Sequence, residues 1–153
     1  LTAQLPTGSR YQIILFNNEA RFALPETQGR WLEVANSDQV ERAITSVRET
    51  LPSGGTSLYN AFEFLNELDS EPDNIFIITD GLPTQGKDAP RKNTVSGPAR
   101  LKHYRDAVDK LPDNVPVNVV LSPMEGDPMA ASEFWKLAQN TGGSFMAPAV
   151  DWP

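Results

Sequence analysis

Cysteine is absent from the 153 residues. That excludes disulfides, zinc–thiolate sites, iron–sulfur clusters and cysteine nucleophiles, and leaves the redox compartment open. Histidine occurs once, at His103, and no Ser-His-Asp arrangement can be argued from the spacing. Bases are outnumbered, with 13 Lys and Arg against 20 Asp and Glu and a net charge of −7. Such a balance argues against general nucleic-acid binding, which runs on phosphate neutralisation. No stretch approaches the ~18 consecutive apolar residues that would span a bilayer. The chain begins at Leu1 without an initiator Met or a signal-peptide pattern, the expectation for a processed chain or a fragment.

What is present reads as one domain over residues 1–153. Hydrophobic residues are 39% and charged residues 22%, a balance that argues against disorder. Tyr11–Phe16 is a short apolar run fit for a buried strand. Asn17-Asn18 turns the chain and Ala20–Leu24 returns as an antiparallel edge strand. Residues 25–37 read as irregular. A helix starts at Asp38 with Glu41 completing a capping box, and Val40, Ala43, Ile44, Val47 and Leu51 share one face. Pro52-Ser53-Gly54-Gly55 stops it. Thr56 or Ser57 caps the next helix, which faces inward with Leu58, Ala61, Phe62, Leu65 and Leu68 and ends at Pro72.

Ile75–Thr79 is apolar at successive positions, the pattern of a central parallel strand covered on both faces by helices. Pro98 suits the first turn of a third helix bearing Leu101, Tyr104, Val108 and Leu111. Val115–Leu121 is another strand, with Pro116 tolerable near its start. Asp127-Pro128 reads as N-cap and first residue of a last helix, with Phe134, Leu137 and Ala138 inward. Gly142-Gly143 ends that helix before a short strand at Ser144–Met146. Strands alternating with helices predict an α/β fold: an open, mostly parallel sheet, an antiparallel edge and helices on both faces.

In such sheets ligands sit at the carboxyl ends of the strands. Asp80-Gly81 follows Ile75–Thr79 directly. A carboxylate there, beside a glycine that permits close approach, suits a hard cation. The same Asp equally suits an Asx turn opening the loop. Ser53-Gly54-Gly55-Thr56-Ser57 places two hydroxyls after a flexible turn. It serves either a ligand or ordinary helix capping.

Together these segments carry more. Gly54-Gly55-Thr56-Ser57-Leu58-Tyr59-Asn60-Ala61, followed by Ile75-Phe76-Ile77-Ile78-Thr79-Asp80-Gly81-Leu82-Pro83-Thr84, resembles the von Willebrand factor type A domain family. Tyr11–Phe16 with its hairpin to Phe22 resembles that family's second and third strands. Leu137–Phe145, with Thr141-Gly142-Gly143, resembles its closing segment. The resemblance covers about Leu5 to Met146 and implies a Rossmann-like sheet with a metal-ion-dependent adhesion site on its upper edge. It implies Mg²⁺, or Mn²⁺ or Ca²⁺ in its place, held through three loops, with Thr56 from the second, Asp80 from the third and the Asp and Ser of the first loop required as well. A protein ligand's acidic side chain would complete the shell. Mg²⁺ chemistry agrees, since that ion takes oxygen donors and keeps several waters.

One departure is large. The family's first loop carries Asp-x-Ser-x-Ser, and no such run occurs here. The resemblance therefore implies a strand, loop and most of a helix upstream of Leu1, roughly 25–30 residues at ordinary element lengths. That strand would lie between the family's second and fourth strands, and without it the 153 residues are not expected to fold well alone.

The leading expectation is a non-enzymatic binding module without a membrane segment. One alternative is a scaffold of this fold that has lost its metal. Another is a phosphotransferase of the haloacid dehalogenase type, but Ile78 stands where that chemistry needs its nucleophilic Asp. A phosphate loop fails as well, because Gly54–Ser57 lacks its lysine. Location is unfixed, with an extracytoplasmic one favoured. Residues 87–105 hold six Lys or Arg against one acid, and residues 63–73 hold five acids and no base. These read as solvated faces, or as a basic patch steering an acidic partner. His103 reads as a surface residue. Trp31, Trp135 and Trp152 are candidate interface anchors, with Trp135 better placed at a helix–sheet boundary.

Overall fold

Short apolar runs alternating with amphipathic segments produce seven strands and four helices among residues 5–90, 94–122 and 127–148, the residues that the computed structural model describes. The first apolar run does not form one strand. It splits into β1 (Arg10–Tyr11) and β2 (Ile14–Phe16). Gln12 causes the break: its Oε1 accepts from the Ile13 amide at 2.9 Å while its Nε2 donates to the Arg30 carbonyl at 2.8 Å. A side chain thus takes a backbone donor that a continuous strand would give to a neighbour. β3 (Ala20–Phe22) pairs antiparallel with β2 across a turn in which Asn17 Oδ1 accepts from the Glu19 amide at 3.0 Å.

The stretch read as irregular contains more order than its Pro25 and Gly29 imply. A 3₁₀ turn spans Pro25–Thr27, and β4 (Leu32–Glu33) pairs antiparallel with β1. α1 (Ser37–Glu49) is capped by Asn36, whose side chain accepts from the Gln39 amide, rather than by Asp38. Its Val40 and Ala43 pack with Tyr11, Leu24 and Leu32 in a small core. Val47 and Leu51 of the expected inward stripe are 40% and 82% exposed, and Leu51 lies beyond the helix, which ends at Glu49 with Thr50 extended.

α2 (Leu58–Glu63) is capped by Ser57, whose Oγ accepts from the Asn60 amide at 3.1 Å, so Ser57 rather than Thr56 takes the capping role. The helix tightens into a 3₁₀ turn over Phe64–Glu67 and ends at extended Leu68, before Pro72. β5 (Ile75–Thr79), α3 (Gly97–Val108), β6 (Val117–Leu121), α4 (Ala130–Thr141) and β7 (Phe145–Met146) complete the order. β5, β6 and β7 form a parallel sheet in that order. β6 starts two residues later than the apolar run from Val115, and the Pro116 carbonyl accepts from the Ile75 amide at 2.9 Å. The fold is thus mixed α/β, and its strands fall into three separate sheets.

The main core lies on one face of the parallel sheet. Register places Ile75, Ile77, Val117, Val119 and Leu121 on that face. Against them pack Leu58, Ala61 and Phe62 of α2, Tyr104 and Ala107 of α3, and Phe134 and Leu137 of α4. Phe134 is fully buried and meets the Tyr104 ring edge-on at 5.2 Å. The opposite face differs from expectation. Phe76 and Ile78 are 50% and 62% exposed, so β5 is not covered on both sides by the described residues. Alternation explains the split: successive side chains leave opposite faces, and α2, α3 and α4 all pack on one of them. Trp135 is likewise not at a helix–sheet boundary, being 52% exposed on α4. Trp31 is half-buried, and its indole donates to Ser70. Trp152, Arg91 and Lys92 lie outside the described residues.

Candidate functional site

β5 ends at Thr79, and Asp80 follows it with its side chain exposed. Gly81 and Leu82 turn immediately back into the fold, Leu82 being 2% exposed. The start of this loop is tied to the sheet, because the Ser122 amide donates to the Thr79 carbonyl at 2.9 Å. Asp80 therefore stands at the carboxyl edge of a parallel strand, where ligands of such sheets bind.

The second candidate loop is joined to the first. The Thr56 carbonyl accepts from the Thr84 amide at 2.9 Å and the Gln85 amide at 3.1 Å. In return the Thr56 amide donates to Thr84 Oγ1 at 2.8 Å. Ser57, fully buried, donates from Oγ to the Gly86 carbonyl at 2.7 Å. The end of β2 joins the same knot: the Ser57 amide donates to the Asn17 carbonyl at 2.7 Å, and Asn18 Oδ1 accepts from the Gly55 amide. Gly54 has φ +76°, a left-handed conformation that glycine adopts without strain, and a Cβ on Gly55 would lie 2.7 Å from Thr84 Oγ1. The paired glycines are what let the loop lie this close.

Thr56 is half-buried and Asp80 exposed. Among the described residues, the hydrogen bonds and ion pairs found engage neither the Thr56 hydroxyl nor the Asp80 carboxylate. A hydroxyl and a carboxylate on joined loops fit a hard cation in kind, with the remaining octahedral positions left to water and an external ligand. They do not amount to a protein-only cage. No group of three or more His, Cys, Asp or Glu able to hold a metal occurs among the described residues.

Two residues at this edge escaped the sequence reading. Asp127 does not cap α4, which begins at Ala130 with Met129 before it. Its Oδ2 instead accepts from the Leu82 amide at 2.7 Å and pairs with Arg100 Nη2 at 2.7 Å. Arg100 Nε and Nη2 both donate to the Leu82 carbonyl, the former at 3.2 Å. Their side chains are only 6% and 13% exposed. The available signal was an acid following β6 at the same carboxyl edge, which reads as a ligand-edge residue as readily as a cap.

Three of the four described bases of the basic stretch are paired locally. Lys87 Nζ lies 3.5 Å from Glu63 Oε1, Lys102 pairs with Asp106 at 2.5 Å, and Arg100 with Asp127. Lys87 and Lys110 also sit over the Tyr59 ring, at 5.9 and 5.1 Å from its centroid. The neighbouring Tyr59 hydroxyl is the main cause raising the Lys110 pKa above the ordinary lysine value. His103 is half-buried, with Nδ1 3.1 Å from where a Cβ on Gly86 would sit. A groove of about 990 Å³ runs along α1 and the β2–β3 hairpin, lined among others by Asn17, Arg21, Glu49 and Ser53, and neither Thr56 nor Asp80 lines it.

No family model matches the chain, and no curated protein or solved structure matches it.

Proposed function

We propose that this chain is a non-enzymatic protein-binding module of the von Willebrand factor type A kind, with a divalent cation at the carboxyl edge of β5. Thr56 and Asp80 supply oxygen donors to the ion. When bound, Mg²⁺ or Mn²⁺ offers an open position to a carboxylate of a protein ligand. One observation carries the reading: the loops bearing Thr56 and Asp80 are hydrogen-bonded to one another through Thr84 and Gln85. The two loops that carry the proposed donors are thereby tied together.

Calorimetric titration of Mn²⁺ and Mg²⁺ into the full chain tests this, with Thr56→Ala and Asp80→Ala as variants. Saturable binding weakened by both substitutions is the expected result. Binding that neither substitution weakens removes the assignment.

A second reading is a scaffold of the same fold that binds its partner without metal. It is favoured by the lack of a three-residue acidic or histidine cluster among the described residues. Partner binding that persists in chelator would select it over the first.

A further inference from the structure

We propose that the buried Arg100–Asp127 pair is a positioning clamp for the candidate cation edge: it grips both polar backbone atoms of Leu82 and so sets where the Asp80 carboxylate stands. This rests on the reading of Thr56 and Asp80 as cation donors.

Arg100 comes from α3 and Asp127 from the segment before α4, while Leu82 belongs to the loop after β5. Asp127 Oδ2 takes the Leu82 amide at 2.7 Å, Arg100 takes the Leu82 carbonyl, and the two side chains close the ring at 2.7 Å. Gly81 is the space in which they meet. A Cβ there would lie 2.7 Å from Asp127 Oδ2 and 3.1 Å from Arg100 Nη2. Asp80 is therefore one residue from a glycine packed against the pair and two from the residue it grips.

Removing two charges from water is costly, and a buried pair is weak evidence for stability. What it supplies is directional geometry, because the planar guanidinium fixes its donors in one fork. Here that geometry falls on a loop backbone rather than on core side chains. The pairing has an electrostatic consequence too. Arg100 neutralises Asp127, while among the described residues no ion pair engages the Asp80 carboxylate at the end of β5. Partners behind a metal ligand orient it, and their loss weakens binding about 10–100-fold in known sites.

The test is Mn²⁺ affinity of the full chain, measured by calorimetry for the parent, Asp80→Ala, Arg100→Lys, Asp127→Asn and a surface control, Lys136→Gln. Asp127→Asn keeps an acceptor for the Leu82 amide and loses the charge. Arg100→Lys keeps the charge and loses the fork. The expected result is Mn²⁺ binding weakened about 10–100-fold in both clamp variants, with folded melts and an unaffected Lys136→Gln. A merely structural pair would shift melting temperature and leave the affinity of the folded molecules at the parent value. That outcome overturns the clamp while the metal reading stands, provided Asp80→Ala loses binding. A parent that binds no Mn²⁺ overturns both. Should the variants not fold, amide exchange at Leu82 in the parent decides. Slower exchange with Mn²⁺ supports the clamp, and unchanged exchange overturns it.

Discussion

Thr56 and Thr84 hold each other by a reciprocal pair of hydrogen bonds, Thr56 amide to Thr84 Oγ1 at 2.8 Å and Thr84 amide to Thr56 carbonyl at 2.9 Å. The first needs the threonine hydroxyl and the second only the backbone. Thr84→Val keeps the shape and removes the acceptor, leaving the half-buried Thr56 amide unpaired. The expected cost is about 1–3 kcal/mol, read by denaturant unfolding. Faster exchange at the Thr56 amide would accompany it. An unchanged midpoint and unchanged exchange would show that the side-chain bond does not join the loops.

β5 offers a within-strand comparison of its two faces. Ile77 is 4% exposed and Ile78 is 62% exposed. Ile77→Ala opens a cavity against α2 and the neighbouring strand and is expected to destabilise by about 2–5 kcal/mol. Ile78→Ala removes a side chain already facing solvent and is expected to cost within about 0.5 kcal/mol. Equal losses at the two positions would mean that something covers the outer face in solution.

Tyr104 carries a pH signature. Its hydroxyl donates to the Glu133 carbonyl at 2.9 Å, and burial first, with the Glu133 charge second, pushes its pKa well above the usual tyrosine value. A raised folded pKa means that the native state holds this proton more tightly than the unfolded chain does. Stability from Tyr104 is complete below about pH 10 and falls by about 1.4 kcal/mol per pH unit above it, until the folded group titrates. Urea unfolding between pH 9 and pH 11 should show that fall, and Tyr104→Phe should flatten it.

Tyr11 carries a different test, of a buried hydroxyl. It is 5% exposed, and among the described residues its hydroxyl finds no hydrogen-bond partner. Burial accordingly raises its pKa. Tyr11→Phe keeps the ring against Leu24 and Leu32 and deletes the orphaned group. The expected change is from none to a gain of about 1 kcal/mol. A clear loss in thermal unfolding would reveal a partner for the hydroxyl.

Much of the architecture was legible in the sequence by itself. β5 through β7 and the helices between them follow from apolar runs, helical spacing and glycine punctuation. Gly142, at φ +75°, ends α4 as its position implies. Local chemistry decides such elements, so a linear reading reaches them. The Gly54-Gly55-Thr56 turn and the acid after β5 were visible for the same reason.

Tertiary structure decided the rest. Ile75–Thr79 is apolar throughout, and only the placement of α2, α3 and α4 on one side determines that Ile77 is buried while Ile78 is not. Gln12 breaks the first strand because Arg30, distant in sequence, takes its amide. Asp127 reads locally as a helix cap, yet Arg100 and the Leu82 backbone compete for its carboxylate and win, with charge and two aligned donors on their side. A residue's chemistry is written in the sequence. Its partner is selected by the residues that folding brings within hydrogen-bond reach, and no local spacing encodes that choice.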